Sequence, residues 1–125
     1  MAALVAQTNA CEWCTNAHSA VAEGAYGDRT KIAAVLADLD TAPIDEPLRA
    51  TLRMLRKLTR EHTIGADDIR AVLAAGVARE QVEDALAVGF AFNMTARLAD
   101  AFGFAMATPK AFESGAKYLL ARGYR

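Results

Sequence analysis

Apolar residues along this chain recur every three or four positions, and no stretch alternates convincingly between apolar and polar. That period predicts helices throughout and no strand. Residues 10 to about 23 form one expected helix, with Asn9 as its N-cap and Glu12, three residues on, completing a capping box. Gly24 and Gly27 then loosen the chain, and Asp28 or Thr30 can cap a second helix running to Leu39. Segment 41–47 places Pro43 and Pro47 around Asp45 and reads as a turn followed by a cap. Beyond it, Leu48, Leu52, Leu55 and Leu58 recur at helical spacing, while Arg49, Arg53, Arg56, Lys57 and Arg60 face elsewhere. That basic side is expected to be a solvated surface, with an anionic partner as the alternative.

Gly65 interrupts the pattern, Asp67 can cap a helix over 68–75, and Gly76 supplies its C-terminal stop. A long helix is expected from about residue 79 to residue 102. Its spine is Val82, Leu86, Phe90 and, less regularly, Met94 and Leu98. Ala85 and Gly89 lie one turn apart and are small enough for close helix packing. Asn93 and Arg97 continue their row, where buried hydrogen bonds or an interface compete with plain exposure of Arg97. Thr108-Pro109 opens a last helix in which Phe112, Tyr118 and Leu119 are expected to pack. The reading is one all-α domain spanning residues 1–125.

Composition adds an expectation about assembly. A hydrophobic fraction of 54% is rich for 125 residues, so surplus apolar surface is expected to be covered in a homo-oligomer. The net charge is -1 and no basic patch stands out, so nucleic acid is not an expected partner. The two helices meeting at Gly76 imitate a helix-turn-helix, but Glu80, Glu83 and Asp84 would repel phosphate. Residues 1–10 lack the basic region and apolar core of a signal peptide. No run approaches the roughly 18 apolar residues of a membrane span. A cytoplasmic protein is expected, with no membrane partner and no cofactor.

The chemistry is concentrated in Asn9-Ala10-Cys11-Glu12-Trp13-Cys14-Thr15-Asn16-Ala17-His18. Cys11 and Cys14 are the only cysteines, and His18 follows Cys14 by one helical turn. On a helix the three fall within an arc of roughly 60°. Helical side chains lean toward the N-terminus, which tips the imidazole onto Cys14. First-turn amides and the helix dipole favour a thiolate there, and a neighbouring imidazole can take the thiol proton. Structural zinc takes four ligands, and this cluster offers three. In a reducing compartment so close a pair is expected to be catalytic rather than structural.

The cysteine segment resembles the alkylhydroperoxidase (AhpD-like) branch of the carboxymuconolactone decarboxylase family. The resemblance extends to Ile64-Gly65-Ala66-Asp67-Asp68-Ile69, to Ala75-Gly76-Val77, and to Ala91-Phe92-Asn93-Met94-Thr95-Ala96-Arg97-Leu98-Ala99-Asp100-Ala101-Phe102-Gly103, which look like its peroxidase-related members. It implies an AhpD-like antiparallel helical bundle that assembles into a homo-oligomer (a trimer, hexamer or dimer). It implies thiol-dependent reduction of a hydroperoxide, with a thiol or lipoyl-type protein as reductant. By residue, it makes Cys14 the attacking sulfur, Cys11 the resolving one and His18 the proton handler. Such members also carry a relay glutamate upstream of the first cysteine. Residues 1–10 hold no acid. Glu23, five residues past His18, is the candidate replacement, ahead of Glu12 or an acid from a partner subunit. A carboxymuconolactone decarboxylase-type enzyme is the alternative, which the cysteine pair disfavours. A non-enzymatic, redox-sensing helical oligomer is the other.

Overall fold

The computed structural model describes residues 1–123. Among these residues there are helices and no strand: α1 (Ala2–Thr8), α2 (Glu12–Tyr26), α3 (Arg29–Ala37), α4 (Glu46–Glu61), α5 (Ala66–Ala74), α6 (Arg79–Ala101) and α7 (Pro109–Arg122). The all-helical expectation holds. So do several starts, each with a local cause. Asp28 accepts from the Lys31 amide, Asp45 from the Leu48 amide and Thr108 from the Ala111 amide, so each caps the helix that follows it. Pro47 and Pro109 sit in first turns, where a missing N–H costs nothing. At α5 the cap position belongs to Gly65 rather than Asp67, and Asp68 reaches back to the Gly65 amide at 2.8 Å. None of the helices among the described residues is long and apolar enough to cross a membrane.

Helix α1 was not expected from the sequence pattern, and it is central. It touches α2, α3, α4 and α6. Three consecutive residues feed three separate clusters. Leu4 packs with Leu39 and Leu52, Val5 with Met54, Leu55, Val72 and Val82, and Ala6 with Cys11, Cys14, Ala96 and Ala99. Four consecutive residues, Ala3 to Ala6, are buried, and such a run shows no amphipathic period, which explains the helix's silence in the sequence. Burial of side chains such as Leu4 and Val5 contributes about 1.5–3 kcal/mol each.

Two expected faces are corrected. The expected spine of α6 enters the core only at its start, where Val82 is buried and Leu86 packs against the same cluster: Phe90 is 71% exposed, and Met94 and Leu98 are about half exposed. Beyond Val82, the buried positions are the small residues Ala85, Gly89, Ala96 and Ala99. A side chain on Gly89 would come within 3.0 Å of Leu55 Cδ2, so close packing at this row is as expected. The basic side of α4 is largely tied to its neighbours. Arg49 donates to the carbonyls of Leu39, Ala42 and Ile44, Arg53 and Arg56 pair with Asp40, and Lys57 pairs with Asp68. In α7, Ala116 is buried and Phe112 partly so, whereas Tyr118 is 55% exposed.

Candidate functional site

The cysteines lie at the corner between α1 and α2. Asn9 ends α1, Ala10 turns the chain with φ of 59°, and the Cys11 amide donates to Ala6 O at 3.1 Å. A left-handed residue at this position closes a helix, and glycine is its usual occupant. Cys11 is therefore the N-cap of α2, not its second residue. The expected Asn9–Glu12 capping box does not form. Asn9 is committed to the helix before it, donating from Nδ2 to Val5 O at 3.0 Å. Cys11 takes over the capping role: its Sγ accepts from the Cys14 amide at 3.4 Å. The Thr15 hydroxyl donates to Cys11 O at 2.8 Å and secures the first turn.

Both cysteines are free thiols with no solvent exposure. Burial, chiefly, pushes the Cys14 thiol up to about 12, and the adjacent Cys11 and the Asp100 carboxylate add to the rise. Desolvation of the sulfur thus opposes the first-turn thiolate expected from the helix dipole. His18 lies one turn further and is 8% exposed, with its ring edge-on to Phe92 at a centroid distance of 4.4 Å. Burial lowers its affinity for a proton, and the positive amino group of Met1 lowers it further. The imidazole is neutral near pH 7, the form that can accept a proton.

The opposite wall comes from α6. Ala96 and Ala99 pack against both cysteines, Phe92 holds His18, and Asp100 bears electrostatically on Cys14. These residues belong to the stretch from Ala91 to Gly103 that carries the family resemblance. Positions 92, 96, 99 and 100 share a helix face, and that spacing was the available signal. Trp13 covers the other side of the cluster, edge-on to Phe104 at 5.2 Å and Phe112 at 5.7 Å.

Glu23 is not brought to this wall. Five residues place it roughly 140° around the helix from His18. Its carboxylate lies 3.6 Å from Arg29 and lines a groove of about 910 Å³ between α2 and α7, shared with Glu12, Asn16, Lys110, Glu113 and Lys117. The structure thus gathers Cys11, Cys14 and His18 on the buried face of α2 and leaves both glutamates on another.

No protein-family model matches the chain, and no curated protein matches it. Among solved structures, the chain is similar to an uncharacterized peroxidase-related protein from Silicibacter sp. TM1040. Sequence identity is 27%, the TM-score is 0.79, and the match covers 90% of this chain and 59% of that one. The two share an all-helical, AhpD-like fold, and this chain spans less than two thirds of the other's length.

Proposed function

We propose that this chain is a thiol-dependent hydroperoxide reductase that cycles Cys11 and Cys14 between dithiol and disulfide. The observation that carries the reading is the pair itself: two reduced, buried cysteines three residues apart, with the Cys14 amide on Cys11 Sγ and a neutral His18 one turn on. Similarity to a peroxidase-related protein supports it.

The steps follow from that arrangement. Both sulfurs are covered, so an opening of the surrounding helices precedes reaction. His18 takes the proton from Cys14. The thiolate attacks one oxygen of the hydroperoxide, the O–O bond breaks, and the alcohol leaves with a proton. Cys14 is now a sulfenic acid. The Cys11 sulfur attacks it, water leaves, and an S–S bond forms. The peroxide has gained two electrons and the dithiol has lost two. A thiol or lipoyl-type protein reductant restores the dithiol by exchange. We place this chemistry in the cytoplasm, where thiols are kept reduced. We further propose a homo-oligomer, for which Phe90, Met94, Leu98 and Phe102 offer an exposed apolar stripe along α6.

The test is a thiol count before and after one equivalent of peroxide. Wild type should lose both thiols to an intramolecular disulfide, and Cys11→Ser should yield a trappable sulfenic acid at Cys14. Unchanged thiols in wild type would sink the reading. His18→Ala should slow Cys14 alkylation near neutral pH, and an unaltered rate removes His18 from the mechanism. The raised Cys14 thiol favours one second reading, a slow redox sensor without turnover. Repeated peroxide consumption in the presence of a dithiol reductant separates enzyme from sensor.

A further inference from the structure

The corner that carries Cys11 is weakly held by its local structure alone. Helix α1 is seven residues long, too short to be stable alone. Ala10 occupies a left-handed conformation that disfavours any residue with a Cβ. Something outside the corner must fix it. Asn9 Nδ2 donates to Asn93 Oδ1 at 2.8 Å, across 84 positions of sequence. Asn93 Nδ2 in turn donates to Thr59 Oγ1 at 3.2 Å and to Gly89 O at 2.9 Å. Thr59 is 4% exposed on α4. A polar chain therefore runs from α4 through α6 to the residue two before Cys11. Its central amide uses both ends in geometry that few other side chains can reproduce.

We propose that Asn93 is a positioning residue for the dithiol. It ties the α1–α2 corner to α4 and α6 and holds Cys11 where it can close onto Cys14. The inference rests on the dithiol reading above and goes beyond it by assigning the support of the resolving sulfur. Cys14 is the third residue of α2 and takes its place from that helix, whereas Cys11 lies outside it at the N-cap, so the tie acts on Cys11 and much less on Cys14. In the language of proximity, Asn93 raises the effective concentration of one sulfur at the other.

The experiment equilibrates the intact protein with mixtures of reduced and oxidised dithiothreitol and measures the disulfide fraction by alkylation and mass. The protein dithiol gives two electrons and two protons to the reagent's disulfide. Asn93→Ala should weaken the Cys11–Cys14 disulfide by about tenfold, the scale of one lost buried hydrogen-bonded link, which corresponds to ~30 mV. Thr59→Val should shift it in the same direction by less, and Thr59→Ser, which keeps the hydroxyl, should restore it. The alkylation rate of Cys14, read in a Cys11→Ser background, should change by less than about twofold on adding Asn93→Ala, since its place comes from α2. An equilibrium unchanged by Asn93→Ala overturns the assignment. So does a Cys14 rate that moves as far as the equilibrium, because that marks general loosening. Should Asn93→Ala fail to fold, an unshifted Thr59→Val overturns it equally. A wild type that forms no disulfide at any ratio overturns the dithiol reading itself, a result distinct from an intact wild-type disulfide that ignores Asn93.

Discussion

The two faces of α6 are built from opposite kinds of residue. Toward the body lie Val82, Ala85, Gly89, Ala96 and Ala99. Toward solvent lie Phe90, Met94, Leu98 and Phe102, the last 73% exposed. Both faces are apolar, so hydrophobicity alone does not say which one enters the core. Size does. The inner face approaches α4 at Gly89 and the two buried sulfurs at Ala96 and Ala99, where small side chains leave room, while its larger Leu86 and Phe92 pack only partly buried. The outer face keeps bulk that burial in this single chain does not use.

The largest test of that difference enlarges the inner face. Ala96→Leu should destabilise the protein by about 1–3 kcal/mol through overpacking against Cys11 and Cys14. Urea denaturation measures it, and a loss below that range would show the wall to be looser than its burial implies.

The chemical environment of the inner face gives the next effect. The unfolded chain releases the Cys14 proton near the ordinary value of 9.0, whereas the folded chain holds it to about 12. Between those limits the unfolded state binds fewer protons, so stability should fall as pH rises, by at most ~1.4 kcal/mol per pH unit. Cys14→Ser should flatten that slope. On the acid side the depressed His18 has the complementary effect. Below its ordinary 6.5 the unfolded chain takes up a proton that the folded one resists, so stability also falls as pH drops. Denaturation midpoints across pH check both limbs.

A smaller effect is expected at the rim of the wall. Asp100→Asn removes the carboxylate that helps hold Cys14 protonated. Alkylation of Cys14 at pH 8 should quicken by about two- to fivefold, since one exposed charge is worth under ~1 kcal/mol. The smallest effect on stability belongs to the outer face. Phe90→Ser with Phe102→Ser should stay within about 0.5 kcal/mol of wild type per site. The same pair should abolish self-association in sedimentation if that stripe is the contact.

Most helices were legible because their ends carry local chemistry: Asp28, Asp45, Thr108 and the prolines act within one turn of themselves. The cysteine pair was legible for the same reason, as a spacing of three residues across a helix start brings the Cys14 amide onto Cys11 Sγ. What was not legible depended on distant partners. Helix α1 buries four consecutive residues and shows no period, and once it forms, Asn9 belongs to its end rather than to the start of α2. The thiolate expectation weighed the helix dipole, which sequence shows, and omitted the burial supplied by Ala96 and Ala99 from far along the chain. The α6 spine was read from its four-residue recurrence, which held at Val82 and Leu86 and failed from Phe90 onward, where small residues face inward. Glu23 was placed by counting from His18, and its partner Arg29 lies across the turn into α3.

Trp13 sits between the two cysteines in sequence, packs on their cluster, and is the only tryptophan in the chain. Its indole is wedged edge-on between Phe104 and Phe112. The protein thus carries its own optical gauge. Disulfides quench indole emission on contact, and a shift of the aromatic wedge alters its wavelength. A stopped-flow fluorescence trace on unlabelled protein would report oxidation as a change in brightness and opening as a change in colour, and so time the two events separately.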